Sequence, residues 1–399
     1  MNKIPTKKSD FNPNWQIKTL NEVCDKISAG GDKPDDCTTE KTEENQIPIF
    51  SNGIKNKGLC GYTKTPAITK PALTISARGT IGFACVRYEP FFPIVRLICV
   101  IPNEKLVVLK FLCYALQYII PQGEGTSVPQ LTIPNFKKIE IPIPPLDEQK
   151  RIASALSKID AYLENTIKLI EEKERFKRGI AKKLLTCKEG ENIPEARFKG
   201  FEDEWKEYNL SKIGVSYNGL RNKKANSFVE NCNAKYITYK SVYDKNKIDI
   251  NRLGNVFIGK NENQNLVKYG DVFFTISSET PDEVAISSVL LDEVENTYLN
   301  SFCFGFRFDF NILLPEFARY YFRSDYIRKS TYRLAQGITR YNISKKKFLD
   351  IIIYLPSLEE QEKIGGYLSL LDEEIDNLKK QKELIKEMKR GAMQKLLSG

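Results

Sequence analysis

Apolar residues recur at three- and four-residue steps along two long stretches of the chain, 146–185 and 358–397. This spacing is typical of an α-helix that buries one face, and charged residues occupy most of the remaining positions. We predict two helices of about 40 residues, each roughly 60 Å long at ~1.5 Å per residue. The predicted apolar stripes are Ile152, Leu156, Ile159, Leu163, Ile167 and Ile170 in the first helix and Ile364, Leu368, Leu371, Ile375 and Leu378 in the second.

The two helical stretches are copies of each other, because they align without a gap at an offset of 212 residues. They share a Glu-Gln pair near the start, at 148–149 and 360–361, and a Lys-Arg-Gly sequence further on, at 177–179 and 389–391. So many matches at one offset indicate duplication of a unit and not merely a shared composition.

Each long helix needs a partner, since an isolated helix of this length would leave its apolar stripe in water. The nearest candidate is the other copy, and we predict that the two form a coiled coil. The alternative is a pair of solvated, charged helices that brace a domain, which does not explain why the whole unit is repeated. Acidic residues crowd both first turns, where the helix dipole favours them, and Ser357 with Glu360 is predicted to form a capping box.

The duplication extends to the segments that precede the helices. Each segment opens on Phe-x-x-x-Trp-x-x-x-x-Leu and closes on Phe-x-x-Ile-x-Ile, and Trp15 and Trp205 are the only tryptophans. We therefore predict the order domain, helix, domain, helix. The predicted boundaries are 1–145 for the first domain, 146–186 for the first helix, 187–198 for a polar linker, 199–357 for the second domain and 358–399 for the second helix.

Both predicted domains alternate short β-rich runs with turn-forming clusters and then continue into an amphipathic helix, at 106–120 and 315–328. The predicted fold class is α/β (α+β), with two mixed α/β domains separated by the two long helices. The predicted strands are 46–50, 72–75, 81–86 and 94–101 in the first domain and 236–238, 272–276, 285–290 and 302–308 in the second.

The composition excludes several classes of activity. The chain has no histidine, which removes histidine general bases, Ser-His and Cys-His nucleophile pairs and histidine metal ligands. Its nine cysteines include no C-x-x-C pair, so they predict neither a zinc site nor a disulfide framework. The sequence also lacks a Walker A loop, a G-x-G-x-x-G loop and an N-P-P-Y or D-P-P-Y tetrapeptide. The N-terminal sequence has no apolar signal-peptide core, and we expect a cytoplasmic protein that is neither secreted nor membrane-inserted.

The charge pattern favours a polyanionic partner. The chain carries 61 Lys and Arg against 51 Asp and Glu, although such a balance is also common in ordinary soluble proteins. The segment 328–347 contains seven basic residues and no acid, with Tyr332, Tyr341 and Asn342 interleaved. Basic side chains supply phosphate contacts, and tyrosine and asparagine can meet base edges. A solvated charged loop is the alternative interpretation.

A second candidate surface is a strand-to-loop junction that occurs in both domains, at 74–82 and 275–280. A side chain on such a loop reaches a ligand from a rigid base. Arg78 could contact a guanine through two hydrogen bonds, whereas the aligned residue is Glu279; an ordinary β-turn is the alternative. The residues that we predict to contact DNA are Arg78, Thr80, Thr126, Ser127, Gln130, Lys137, Ser278, Arg328, Arg333, Arg340, Tyr341 and Lys345.

Two motifs mark the ends of the domains. The sequence Ile-Pro-Glu-x-Arg-Phe stands at 193–198, and Ile-x-Ile-Pro-x-Pro-Pro-Leu-x-Glu-Gln stands at 139–149 and, with Tyr354 and Ser357 in place of prolines, at 351–361. With these motifs the chain resembles, over essentially its whole length, the specificity subunit of type I restriction-modification systems.

This resemblance implies a DNA-recognition subunit without catalytic activity. Each recognition domain would read one half of a bipartite DNA site, and the helices would form an antiparallel coiled coil that acts as a ruler. The implied partners are double-stranded DNA, two modification (methyltransferase) subunits and the restriction (nuclease and translocase) subunits. Those subunits, and not this chain, would bind S-adenosylmethionine, ATP and Mg²⁺. Two alternatives are a fused restriction-methylation enzyme, which lacks its expected motifs here, and a structural coiled-coil scaffold that binds no DNA.

Overall fold

The computed structural model describes residues 12–79, 81–120, 131–188, 190–229 and 232–398. The chain divides into two compact units, which we call unit 1 (residues 1–168 and 380–399) and unit 2 (residues 169–379). Each unit therefore contains one globular domain together with a segment of each long helix.

The domain of unit 1 is built from nine strands and three short helices in its described part, followed by a long helix. The large sheet is antiparallel with the strand order β2-β8-β5-β6, a second sheet has the order β4-β3-β7 with β3 and β7 parallel, and β1 pairs with β9. The elements in chain order are β1 Gln16–Thr19, α1 Leu20–Val23, β2 Cys24–Ala29, β3 Ile47–Phe50, β4 Leu59–Thr63, β5 Ala72–Ile75, β6 Ala84–Arg87, β7 Phe92–Pro93, β8 Ile98–Pro102, α2 Leu109–Ile119, α3 Ile133–Lys137, β9 Glu140–Ile143 and α4 Leu146–Leu185.

The domain of unit 2 repeats this plan sheet by sheet. Its sheets have the orders β11-β18-β14-β16, β13-β12-β17 and β10-β20, and one further pair, β15-β19, is added. The elements are β10 Lys206–Asn209, α5 Leu210–Ile213, β11 Gly214–Asn218, β12 Ala234–Ile237, α6 Tyr239–Asp244, β13 Gly254–Val256, β14 Val272–Thr275, β15 Ser277–Ser278, β16 Ser287–Val289, β17 Thr297–Leu299, β18 Cys303–Phe308, α7 Pro315–Tyr321, α8 Asp325–Leu334, β19 Tyr341–Asn342, α9 Lys345–Leu349, β20 Ile352–Leu355 and α10 Leu358–Ser398.

These elements confirm the predicted α/β (α+β) class. The helix predicted at 315–328 is instead two helices, α7 and α8. Ser324 has a ψ of 157°, an extended conformation that ends the first helix, and it is the N-cap of the second, which begins at Asp325. The pairs β1-β9 and β10-β20, which bring the two ends of each domain together, were not predicted.

The apolar stripe of each long helix has two kinds of contact. Ile152 and Leu156 lie in the core of unit 1 among residues of its own domain, and Ile364, Leu368 and Leu371 do the same in unit 2. Ile375 is also buried, Ile159 and Leu163 are half-buried, and Ile167 is 36% exposed. The stripe therefore fixes each helix to its domain, and the end of the other long helix joins the same core, with Leu397 in unit 1 and Leu184 and Leu185 in unit 2.

A buried glutamine anchors the start of each long helix. Gln149 is fully buried; its Oε1 accepts from the Val108 backbone N–H at 2.8 Å, and its Nε2 donates to the carbonyls of Leu106 and Pro144 at 3.0 and 2.8 Å. The same three contacts form around Gln361, with Leu314, Ile312 and Pro356. The Glu-Gln pair of the repeated motif thus supplies an amide that closes three otherwise unpaired backbone groups.

We expect Gln149→Leu to lower the free energy of unfolding by about 3 kcal/mol, because it leaves one N–H and two carbonyls buried without these partners. Thermal and urea denaturation of the full chain would measure the loss. The matched control is Gln394→Leu, the same change at an exposed position of α10. Equal stability of the two variants would contradict the structural role of this amide.

Candidate nucleic-acid interface

Three loops of unit 1 meet at one place and are joined by a single side chain. The Asn52 Nδ2 donates to the Val95 carbonyl at 2.7 Å, and its Oδ1 accepts from the Ala77 backbone N–H at 2.7 Å. Because both ends of the amide are used, the loops form one continuous surface, which we call loop cluster 1. Its loops are 51–58 after β3, 76–79 after β5 and 94–97 before β8.

Loop cluster 1 presents basic side chains on a constrained backbone. Lys55, Arg78 and Arg96 are exposed. Arg96 has a φ of 58°, in the left-handed region that costs free energy for residues other than glycine, and Gly79 has a φ of 68° directly after Arg78. Such conformations are often found in binding loops. Because Asn52 holds the three loops together, three exposed cations from separate parts of the sequence belong to one surface.

The remaining sequence-predicted residues of the first domain divide into two groups. Thr80, Thr126, Ser127 and Gln130 lie outside the described residues. Lys137 is half-buried at the end of α3. The segment that leads into α3 begins beside loop cluster 1, since the Leu131 N–H donates to the Ala77 carbonyl at 3.2 Å.

Unit 2 brings two of the predicted segments together as a small sheet. β15 pairs antiparallel with β19, and Ser278 lies opposite Tyr341 in the register. The Ile343 N–H extends this contact by donating to the Ile276 carbonyl at 3.0 Å. We call this surface loop cluster 2; its segments are 276–286, 300–302 and 336–344.

A cavity of about 330 Å³ lies within loop cluster 2. The Tyr239 and Tyr243 rings stack along one wall with centroids 6.1 Å apart. Phe302 is 57% exposed at the cavity, and the exposed Glu279 and Arg340 add one charge of each sign. This combination of flat rings with a strong acceptor and a strong donor suits the faces and edges of nucleic-acid bases.

Glu283 fixes two of the side chains that line this cavity. Its carboxylate accepts hydrogen bonds from the Tyr243 hydroxyl and from the Ser278 Oγ, the latter at 2.9 Å. These two bonds lower the pKa of Glu283, and the bond to the carboxylate raises the pKa of Tyr243 to about 12. Ser278, predicted to contact DNA, therefore has a bond inside the protein and is itself buried.

The basic segment 328–347 contains cations of two kinds. The Arg328 guanidinium donates to the carbonyls of Val284 and Ala285 at 2.7 and 2.8 Å, and burial lowers its pKa. The Lys345 ammonium donates to the Asn218 side chain, and burial with the nearby Arg221 lowers its pKa. The members of the segment that are exposed are Lys329, Arg333, Arg340, Lys346 and Lys347.

A tight turn presents the centre of this segment. Gly337 has a φ of 146°, and a Cβ at this position would meet the Arg340 carbonyl oxygen at 2.0 Å, so the turn requires glycine. Ile338 at the tip is 91% exposed and Arg340 is exposed beside it. The turn therefore extends an apolar side chain and a cation together from loop cluster 2.

Within each unit the two long helices run antiparallel. In unit 2, Lys173 contacts Glu374 at 2.7 Å and Lys177 contacts Asp372, so residue numbers rise along one helix and fall along the other. In unit 1, Tyr162 bonds Gln381 and Asp160 lies 2.6 Å from Lys389. Ion pairs across the seam accompany the apolar contacts, as in coiled coils.

Among the described residues, no group of three metal-ligating side chains is placed to hold an ion. Likewise, no helix in the described part of the chain is long and apolar enough to cross a membrane.

Comparison with known proteins finds similarity to type I specificity subunits. A Mycoplasma pneumoniae protein named as a type I specificity subunit is 37% identical over 37% of this chain and 45% of its own length. The chain thus aligns with less than half of that relative. The specificity subunit of the type I restriction enzyme MjaVIII from Methanocaldococcus jannaschii is 29% identical over 74% of this chain and 71% of its own length.

A solved structure and a family model point to the same kind of protein as these relatives. The crystal structure of the S subunit of a type I restriction-modification system from M. genitalium matches 97% of this chain and 98% of its own, with a TM-score of 0.59 and 19% identity. The family model described as the type I restriction modification DNA specificity domain matches twice, at residues 12–172 and 202–387. Since the two matches cover most of both units, the chain belongs to the family of type I restriction-modification DNA specificity proteins.

Proposed function

We propose that this chain is the DNA-binding specificity subunit of a type I restriction-modification complex and that it carries no catalytic site of its own. Loop cluster 1 reads one half of a bipartite DNA site and loop cluster 2 reads the other. The paired helices set the distance between them and dock the methyltransferase and restriction subunits. S-adenosylmethionine, ATP and Mg²⁺ are bound by those subunits.

One observation carries this proposal: two equivalent loops, the one after β5 or β14 and the one before β8 or β18, contribute to the loop cluster of each unit, but their side chains differ. The loop after the second strand of the large sheet presents Arg78 in unit 1 and Glu279 in unit 2. An arginine favours guanine, whereas a glutamate accepts from the amino group of cytosine. A repeated scaffold with different contact residues is what two readers of two different sequences require.

The exposed cations account for affinity in this proposal. Arg333, Arg340, Lys346 and Lys347 lie along the edge of loop cluster 2, where they can neutralise phosphates and release counterions. Arg328 and Lys345, which bond other parts of the protein, contribute by holding the loop in position. The basic segment thus contains exposed cations that bind DNA and half-buried cations that hold the loop in position.

We expect Arg333→Ala and Arg340→Ala each to reduce by about one the slope of log affinity against log salt concentration, because each removes about one phosphate contact. Fluorescence anisotropy of the full chain with a mixed-sequence duplex measures the slope. Lys206→Ala, which removes an exposed cation from β10, serves as the control and leaves the slope unchanged. Binding by the parent that is absent or independent of salt would favour the alternative of a scaffold that does not bind DNA.

A further inference from the structure

In unit 1 three side chains from three different helices meet. The Tyr114 hydroxyl in α2 donates to the Asp160 Oδ2 in α4 at 2.7 Å. The Lys389 ammonium in α10 lies 2.6 Å from the Asp160 Oδ1 and 5.6 Å from the centre of the Tyr114 ring. A domain helix, the long helix that follows it and the opposing long helix are therefore joined at one carboxylate.

Unit 2 forms the same group of three from other residues. The Tyr320 hydroxyl in α7 donates to the Asp372 Oδ2 in α10 at 2.8 Å. Lys177 in α4 pairs with the Asp372 Oδ1 and lies 5.3 Å from the centre of the Tyr320 ring. Arg319 adds a second cation, 3.1 Å from the same carboxylate. We call the two groups triad 1 and triad 2.

The triads are equivalent positions of the internal repeat. Asp160 and Asp372 occupy the same place in the two copies of the long helix, as do Lys177 and Lys389. The two tyrosines are each the sixth residue of their domain helix. Three residue types have thus been kept together in both copies, although much of the surrounding sequence differs.

The lysine of each triad makes the triad dependent on how the two long helices are aligned. In each unit the tyrosine and aspartate come from one repeat, whereas the lysine comes from the helix of the other repeat. The three contacts form together only in one register of the antiparallel pair, since a shift by one heptad moves the lysine by roughly 10 Å. Polar groups at a helix seam are well suited to fix register in this way.

We infer that each triad is a joint that fixes the recognition domain on the paired helices, and that its residues are positioning residues for the spacing between the two half-sites. This inference rests on the proposed function. A domain held at one position on the helix pair meets the DNA at one distance from its counterpart. A domain with a loosened joint meets it over a range of distances, and spacer selectivity falls.

The test uses charge reversal in triad 1 of the full chain: Asp160→Lys, Lys389→Asp and the two together. Each single change places like charges in contact, and the double change restores a pair of opposite charges. We expect the α2 amides to exchange hydrogen about ten-fold faster in either single variant, and the double variant to recover most of the protection. Reversal of the exposed Glu383–Lys386 pair of α10 is the control and leaves α2 unaffected.

The second measurement separates positioning from stability. In cells that carry the complete system, we expect either single variant to increase methylation at sites whose spacer is one base pair too long or too short, and the double variant to restore the parental spacer. Tyr114→Phe, which removes only the hydroxyl, changes both measurements in the same direction by a smaller factor and covers the case in which a reversal prevents folding.

Two results would contradict the inference that each triad positions its recognition domain. One is unchanged exchange in all triad variants; the other is faster exchange with a spacer as strict as in the parent, which would leave the triad a structural role alone. Failure of the proposed function has a different signature, because the parent itself would then add no methylation at bipartite sites. In that case the exchange data still decide whether the triad holds the domain on the helices.

Discussion

Arg197→Met is expected to lower the free energy of unfolding by about 3–5 kcal/mol, because it leaves a buried carboxylate without its cation. The Arg197 Nε and one terminal nitrogen donate to the two oxygens of Glu360 at 2.9 and 2.7 Å. The Glu360 side chain is 1% exposed and that of Arg197 is 12% exposed, so solvent screens the pair little. This hydrogen bonding also raises the pKa of Arg197.

The Arg197–Glu360 pair joins two motifs that are distant in the sequence. Arg197 comes from the Ile-Pro-Glu-x-Arg-Phe sequence, and Glu360 comes from the Glu-Gln pair at the start of α10. Ser357 accepts from the Glu360 N–H at 3.3 Å, as the predicted capping box requires, but the carboxylate binds Arg197. The expected capping box is therefore replaced in part by a contact between distant segments.

Denaturation of the full chain tests the pair with two comparisons. The double variant Arg197→Met with Glu360→Gln removes both charges and recovers part of the lost stability. Lys188→Met removes a cation from an exposed pair in the same segment and changes stability by less than about 1 kcal/mol. A single Arg197→Met variant as stable as Lys188→Met would refute a stabilising role for the buried pair.

The long helices were predictable because their information is local. A stripe of apolar residues at helical spacing over about five turns predicts a helix directly, and α4 spans the predicted 146–185. The strand β5 also has its predicted bounds, Ala72–Ile75. The stripe could not show which of its residues pack against the domain and which against the other helix, because an apolar residue can be buried by either.

The candidate interface was only partly predictable, because it depends on residues that are distant in the chain. Lys55 and Arg96 are distant from Arg78 in the sequence, and only the fold joins their loops to its loop in loop cluster 1. The density of charge in 328–347 marked that segment as a candidate, but composition cannot separate an exposed cation such as Arg340 from Arg328, which bonds backbone carbonyls. The signal that was available and missed is Asn52 in its Ser-Asn-Gly turn.

The repeat itself could have identified the triads. Asp160 and Lys177, and their counterparts Asp372 and Lys389, were charged positions on helices rich in charge, so periodicity alone assigned them to the solvent face. Comparison of the two copies singles out the lysines, which begin the shared Lys-Arg-Gly sequence, and extended to every charged position it would have singled out the aspartates as well. In a single sequence, internal duplication is a source of such comparisons.

Lengthening the paired helices is expected to lengthen the unread spacer of the recognised DNA site without changing either half-site. Four helix-forming residues inserted into each long helix, after Lys168 in α4 and after Lys379 in α10, add about one turn, or ~6 Å. These positions are where each helix passes from one unit to the other. Duplex DNA rises roughly 3.4 Å per base pair, so the spacer should grow by one or two base pairs.

The site of insertion matters. At the end of α4, Leu184 and Leu185 are buried in the core of unit 2, so residues added there would disturb a domain. The same four residues placed after Lys41, in an exposed loop of unit 1, are the control and should leave the spacer at its parental length. Methylome sequencing of cells carrying each variant with the partner subunits gives the spacer directly. An active variant with lengthened helices and a parental spacer, or with altered half-site bases, would contradict the mechanism of two readers separated by a ruler.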